Sequence, residues 1–289
     1  MRRDIIRLYD EYTHAPLERR VFLERLAKLA GGTSAAMALL PMLENNYALA
    51  ETIAADDARL VTETVSFDAP GGPMRAYVAK PADASEPLPA VVVIHENRGL
   101  TPYTQDVVRR VALEGYVAVG PDLLAPLGGT PADEDQGRTM YRELDDGAKL
   151  QNTLATVNYA RGRPDSNGRI GVIGFCAGGT LTNQVAVADA EIGAAVPFYG
   201  GQPPAEDAAK IEAPLMLHYA GLDERINAGI DAYTQALDAA GVDYTMYMYE
   251  GVNHAFHNDT GGRYDAAAAE LAWQRTIAFL NEHLRDQGA

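Results

Sequence analysis

The stretch Ile170-Gly171-Val172-Ile173-Gly174-Phe175-Cys176-Ala177-Gly178-Gly179 constrains this chain more than any other segment. Its first half is an apolar run without polar alternation, the pattern of a strand buried on both faces of a parallel sheet. Its second half opens a helix-like segment, Gly178–Ala188, so the strand passes into a helix through a turn flanked by glycines. Such a turn exposes one side chain above the sheet edge, where neighbouring chains pack too closely to admit a Cβ. That side chain is Cys176, and the helix N-terminus after it lowers a thiol's pKa and favours a developing oxyanion. The other reading, a buried structural cysteine, leaves the paired glycines without a reason.

The same alternation recurs through the body. An alternating Leu60–Phe67, a turn at Pro70-Gly71-Gly72 and a returning Met74–Lys80 predict a hairpin. The continuous apolar run Pro89–Ile94 then leads to a helix opened by Thr101-Pro102 and stopped at Gly115. Further strands are predicted at Tyr116–Gly120, Arg169–Ile173, Ala194–Phe198, Pro214–Ala220 and Tyr244–Tyr249. Helices fall near Asp145–Arg161, Gly178–Ala188, Asn227–Ala240 and Asp265–Leu284. The sum is an α/β chain, a doubly wound and mostly parallel sheet over residues 59–289 with helices on both faces. Asp122–Gln136, rich in Gly, Pro and Asp, reads as a mobile loop at the carboxyl edge of a strand, where sites sit.

Composition narrows the function. Against 40 acidic residues stand 24 basic ones, a net charge of −16, so the footprint of a nucleic-acid or anionic-membrane binder is missing. The acid excess and the four lysines (Lys28, Lys80, Lys149, Lys210) fit a salt-adapted surface or a genomic bias alike. A single cysteine excludes an intrachain disulfide framework and a multi-cysteine zinc site.

Residues 1–58 precede the hairpin and admit two readings. Arg19-Arg20-Val21-Phe22-Leu23, a moderately apolar segment and Ala48-Leu49-Ala50 resemble a twin-arginine export signal. Alternatively, Asp4–Tyr12 and Leu17–Ala30 are amphipathic helices, stopped at Gly31-Gly32 and docked on the body. Leu26–Leu43 is interrupted by Lys28, Gly31, Gly32, Thr33 and Ser34, so no integral membrane segment is expected. Localisation stays open between the cytoplasm and export.

A thiol nucleophile needs a base, and α/β-hydrolases carry nucleophile, acid and histidine in that chain order. Asp223 follows the apolar strand Pro214–Ala220, and His254 follows Tyr244–Tyr249, so both reach the same sheet edge as Cys176. Of the remaining histidines, His14 lies in the lead segment, His218 inside a strand and His283 near the end of the last helix. His95 and His257 fall near the proposed site.

With these motifs the chain resembles the dienelactone hydrolase family over roughly Leu60–Leu284, and more narrowly a subgroup with a long N-terminal extension. The resemblance implies the α/β-hydrolase fold, and cleavage of a small ester or lactone through a Cys176-His254-Asp223 triad and a thioester. It implies that Glu96, in His95-Glu96-Asn97-Arg98-Gly99, activates the thiol, with the N–H groups of Asn97 and Ala177 as oxyanion hole. The plainer alternative for Glu96 is a surface carboxylate paired with Arg98. Substrate-binding candidates are Arg98, Tyr199 and Asn258, Tyr199 being equally readable as a core aromatic. Asn258 stands where dienelactone-cleaving members have an arginine for the substrate carboxylate. Neutral substrates are therefore expected unless Arg98, Arg138, Arg142 or Arg263 reaches in. No cofactor or metal is expected, the oligomeric state is not legible, and the partner is a small-molecule substrate. Two other classes compete: a non-catalytic binding or redox-sensing protein using Cys176, and a metal-binding protein built on His95, Glu96, His254, His257 and Asp259.

Overall fold

The computed structural model of the chain describes residues 1–47 and 50–285. Among them, eight strands form one sheet in the order β1-β2-β4-β3-β5-β6-β7-β8. The strands are β1 (Leu60–Phe67), β2 (Met74–Pro81), β3 (Leu88–Ile94), β4 (Val117–Asp122), β5 (Ser166–Phe175), β6 (Ala194–Phe198), β7 (Leu215–Ala220) and β8 (Tyr244–Tyr249). The predicted hairpin is the antiparallel edge: β1 pairs with β2, and β2 runs antiparallel to β4. From β4 onward every pairing is parallel. Apolar runs fill both faces of these inner strands, because helices cover both sides.

On one face α4 (Pro102–Leu113) and α10 (Ala266–Leu284) bury Val107, Val111, Ala272 and Leu280 against Val91, Val93, Ile173 and Phe175. On the other, α6 (Asp146–Arg161), α7 (Ala177–Ala188) and α9 (Ile230–Ala240) bury Val157, Val185 and Leu237 against Val92, Ile94, Val172 and Leu215. The order reverses at β3, which has β4 on one side and β5 on the other. Crevices of doubly wound sheets open at the carboxyl ends of such strands.

Two elements differ from expectation. Residues 122–136 are tethered, since Thr130 donates from N and Oγ1 to the Asp122 carboxylate at 3.0 and 2.8 Å. Their end starts an unpredicted helix, α5 (Glu134–Glu143), capped by the Asp133 side chain. It carries few apolar residues, and Gly137 interrupts them because a Cβ there would come 2.6 Å from the Arg98 carbonyl oxygen. The helix predicted at Asn227–Ala240 begins later, as α9, and is preceded by an unpredicted single turn, α8 (Glu224–Asn227), with Gly229 between them.

The N-terminal segment is helical: α1 (Arg3–His14), α2 (Arg19–Ala30) and α3 (Thr33–Leu43). Gly31, in the left-handed region at φ 87°, ends α2 as the sequence suggests, but the chain at once re-enters a helix that periodicity did not reveal. Ile5, Leu8, Tyr9 and Tyr12 lie on one face of α1 and pack with Phe22, Leu26, Leu40 and Leu43 into a separate apolar cluster. Polar contacts tie this unit to the body: Arg263 to Asp10 at 2.7 Å, Arg19 to Asp135 at 2.7 Å, and Arg138 to the Tyr12 carbonyl oxygen at 2.7 Å. Among the described residues no single helix is long and apolar enough to cross a membrane, and α2 and α3 meet at 111°. The small-residue cleavage motif falls largely on residues 48 and 49, outside the described residues.

Candidate active site

β5 ends at Phe175, and Cys176 adopts φ 56° and ψ −115° before α7 begins. This is a strained conformation for a residue with a side chain, and such strain persists where surrounding packing imposes it. A Cβ on Gly174 would lie 2.1 Å from the Gly178 carbonyl oxygen, and one on Gly178 would lie 2.4 Å from that of Ile94. The glycines thus let β3, β5 and the first turn of α7 close on one another, with the sulfur held above the sheet edge and largely buried. Ala177 opens α7, so its N–H has no partner within the helix and is available to an anion.

Asp223 follows β7 and caps α8, its Oδ1 accepting the Ile226 N–H at 3.2 Å. Its Oδ2 accepts from Nδ1 of His254, on the loop after β8, at 2.5 Å. Both side chains are buried. Burial opposes the charge of Asp223, but the imidazole beside it holds the carboxyl below its usual range. For His254 burial favours the neutral ring, yet the charges of Cys176 and Asp223 outweigh it and raise the pKa. With Nδ1 committed to Asp223, Nε2 is the free nitrogen. It is buried and has no hydrogen-bond partner among the described residues.

Glu96 is buried, which excludes the surface salt bridge: its Oε2 accepts from Asn258 Nδ2 at 2.9 Å, while Oε1 has no partner among the described residues. Asn258 in turn accepts from the N and Oγ1 of Thr260 at 3.1 and 2.6 Å, so both ends of its amide are occupied. Asn97 borders the cleft and donates its side-chain amide to the Thr13 carbonyl oxygen at 2.8 Å. Tyr199, at φ 38°, sets its ring 4.8 Å from that of His254, with its hydroxyl buried and unpaired among the described residues. Arg98 is not brought to the thiol. Its guanidinium turns to Glu134 at 3.1 Å and to Tyr9 Oη at 3.3 Å.

The alternative metal set is not assembled either. His95 is bonded to the Glu96 carbonyl oxygen and to the Leu123 N–H, and His257 to Tyr103 Oη at 2.7 Å. Asp259 pairs with Arg110. Burial and the nearby Arg110 push His257 down to about 3.

The residue that sequence reasoning missed is His14. The end of α1 lies over the site, with His14 Nε2 3.3 Å from Cys176 Sγ and the ring edge-on to His254 at 4.6 Å. The one available signal was its spacing of four from Asp10 on the polar face of α1. His14, Asn97, Cys176, Ala177, Tyr199 and His254 together border a cleft of about 360 Å³. Its outer wall carries Arg138, Arg142, Lys149 and Arg225, with Asp146 among them.

The mostly parallel sheet, with helices on both faces, three helices ahead of it and a strained strand-to-helix turn after β5, is the α/β-hydrolase fold. Residues 74–284 match the dienelactone hydrolase family. A protein of Escherichia coli O157:H7 described as "Putative carboxymethylenebutenolidase" is 32% identical over 243 residues, covering 79% of this chain and 89% of its own. The crystal structure of a "Putative Dienelactone Hydrolase" from Klebsiella pneumoniae superposes with a TM-score of 0.70 at 28% identity, covering 77% of this chain and 99% of that one. An esterase, rPPE, shares the fold over 99% of this chain and 98% of its own with a TM-score of 0.67 at 17% identity. The chain belongs to the dienelactone hydrolase family and is a carboxylic ester hydrolase acting on a small molecule.

Proposed function

We propose that this enzyme cleaves a small carboxylate-bearing ester or lactone by way of a thioester on Cys176. The observation that carries the reading is the convergence of Cys176, on its strained turn, with the buried His254–Asp223 pair at one sheet edge. His254 Nε2 takes the thiol proton, and the sulfur attacks the carbonyl carbon to give a tetrahedral oxyanion. The N–H groups of Asn97 and Ala177 stabilise that oxyanion as charge develops on it. The imidazolium then protonates the leaving alkoxide, and water, deprotonated by His254, releases the acid from the thioester. Asp223 keeps the proton on Nδ1, so that Nε2 stays the base. In this reading Glu96 is the group that modulates the thiol, and Asn258 serves to hold Glu96 rather than to bind substrate.

The choice of an anionic substrate rests on the outer wall. Asn258 alone argues for neutral substrates, but Arg138 and Arg142 border the cleft together with Lys149 and Arg225. Arg138 is held by Asp135 at 3.1 Å and Lys149 by Asp146 at 2.7 Å, as Arg263 is by Asp10, which leaves Arg142 and Arg225 as the cations without a salt-bridged acidic partner among the described residues. Cations in a partly desolvated cleft favour a carboxylate that a neutral wall would exclude. The test is kcat/KM for a carboxylated lactone against its neutral methyl ester, in the native enzyme, Arg142→Ala and Cys176→Ala. The native enzyme is expected to favour the anion tenfold or more, about 1.4 kcal/mol. Arg142→Ala should narrow that ratio and Cys176→Ala should lose turnover of both. A native preference for the methyl ester overturns the substrate class, and near-native turnover by Cys176→Ala overturns the nucleophile.

A further inference from the structure

Two aspartate–histidine pairs face one thiol. Asp223 holds Nδ1 of His254; from the opposite side Asp10 engages Nδ1 of His14 through its carbonyl oxygen at 2.8 Å and its carboxylate at 3.3 Å. Both Asp10 oxygens only accept, which assigns the proton to Nδ1 of His14 and leaves the Nε2 lone pair directed at Sγ, 3.3 Å away. Arg263 pins Asp10 at 2.7 Å. On the other side, Nε2 of His254 is the buried nitrogen with no partner among the described residues.

We propose that Cys176, His14 and His254 form a binding site for a thiophilic divalent cation, Zn²⁺ foremost, and that occupation of this site switches hydrolysis off. One thiolate and two imidazoles are the donor set such borderline ions take. Each imidazole is backed by a carboxylate, which fixes the ring and raises its basicity, as metal-binding histidines require. Tetrahedral zinc with sulfur at about 2.3 Å and nitrogen at about 2.0 to 2.1 Å sets ligand atoms roughly 3.3 to 3.6 Å apart. Here the three ligand atoms lie within 4.8 Å of one another, with His14 and the sulfur already at 3.3 Å. Small side-chain rotations close the remainder, and the cleft bordered by all three residues leaves the fourth position to water.

Binding replaces the thiol proton: the S–H bond is lost, the proton leaves to solvent, and the sulfur pair forms the metal–sulfur bond. That pair is then withdrawn from attack on a carbonyl. Inhibition in this form rests on the reading of Cys176 as nucleophile, whereas ion binding does not. Two of the ligands belong to the hydrolytic apparatus and the third to the N-terminal helices, so metal sensitivity is what the extension adds.

The full chain, freed of metal by chelator, is titrated with Co²⁺ and then with competing Zn²⁺. A near-ultraviolet thiolate-to-cobalt band should saturate at one ion per chain and vanish in Cys176→Ala. His14→Ala and His14→Gln should each weaken binding tenfold or more. Zn²⁺ inhibition of ester turnover, taken relative to each variant's own metal-free rate, should shift by the same factor and reverse with chelator. Absence of the band, or equal affinity in native chain and both His14 variants, overturns the site. A band that depends on His14 in a chain that hydrolyses no ester would keep the ion site and remove the catalytic reading instead.

Discussion

Asp223→Asn isolates the contribution of one charge to the site. The side chains differ by a single atom, and asparagine caps helices as well as aspartate does, so α8 keeps its N-cap contact with the Ile226 N–H. What changes is the 2.5 Å contact with Nδ1 of His254, made where both groups are buried. An amide that presents its NH₂ to Nδ1 reverses the tautomer, moving the ring proton to Nε2 and removing the base. Setting the base in the wrong tautomer costs about 3–5 kcal/mol of transition-state stabilisation. At about 1.36 kcal/mol per decade this corresponds to a loss of roughly two to four decades in kcat/KM. The assay is steady-state hydrolysis of an aryl ester, with thermal unfolding run alongside. Unfolding should move little in Asp223→Asn and fall by about 1 kcal/mol more in Asp223→Ala, which also loses the cap. Retention of kcat/KM within threefold by Asp223→Asn would refute the reasoning, since the carboxylate would then not govern the imidazole.

His254→Ala should lower kcat by orders of magnitude and His257→Ala by little, because His257 is tied to Tyr103 inside the core; steady-state kinetics of both variants give the ranking, and the reverse order moves the base to His257. The ionisation on the acid limb of the pH–kcat/KM profile should lie above the ordinary imidazole value of 6.5, since Cys176 and Asp223 both favour imidazolium over the base. In Asp223→Asn that limb should move down, one of the two charges being gone; a limb at or below 6.5 in the native enzyme contradicts the assignment. Glu96→Gln removes a buried carboxylate whose Oε1 has no partner among the described residues and should change both the iodoacetamide labelling rate of Cys176 and kcat, whereas equal rates in both assays would set Glu96 outside the chemistry.

The sheet and the candidate triad were legible in the sequence because their signals are local. Val91, Val92 and Val93 announce a strand buried on both faces. The glycines around Cys176 announce a turn that admits no Cβ, and Asp223 and His254 each follow a strand whose polarity along the chain fixes which edge they reach. Two helices escaped for local reasons too: α5 has few apolar residues, and α3 follows a two-glycine stop. The role of the first forty-odd residues was undecidable from their own composition, because a docked amphipathic pair and an export signal share charged and apolar segments of similar length.

Only the tertiary structure joined His14 to Cys176, across 162 positions, and Asp10 to Arg263, across 253. It likewise turned Arg98 toward Tyr9 and Glu134, brought Arg138 and Arg142 to the cleft, and gave Asn258 to Glu96. None of these contacts has a periodicity or spacing: those of His14, Asp10 and Tyr9 depend on how a separately packed helical unit sits on the sheet edge, and Asn258–Glu96 and Arg98–Glu134 on how distant loops of the body meet. Strand order and turn chemistry are written in neighbouring residues through backbone sterics and burial; the meeting of distant side chains follows from how two packed surfaces fit, which no short segment encodes.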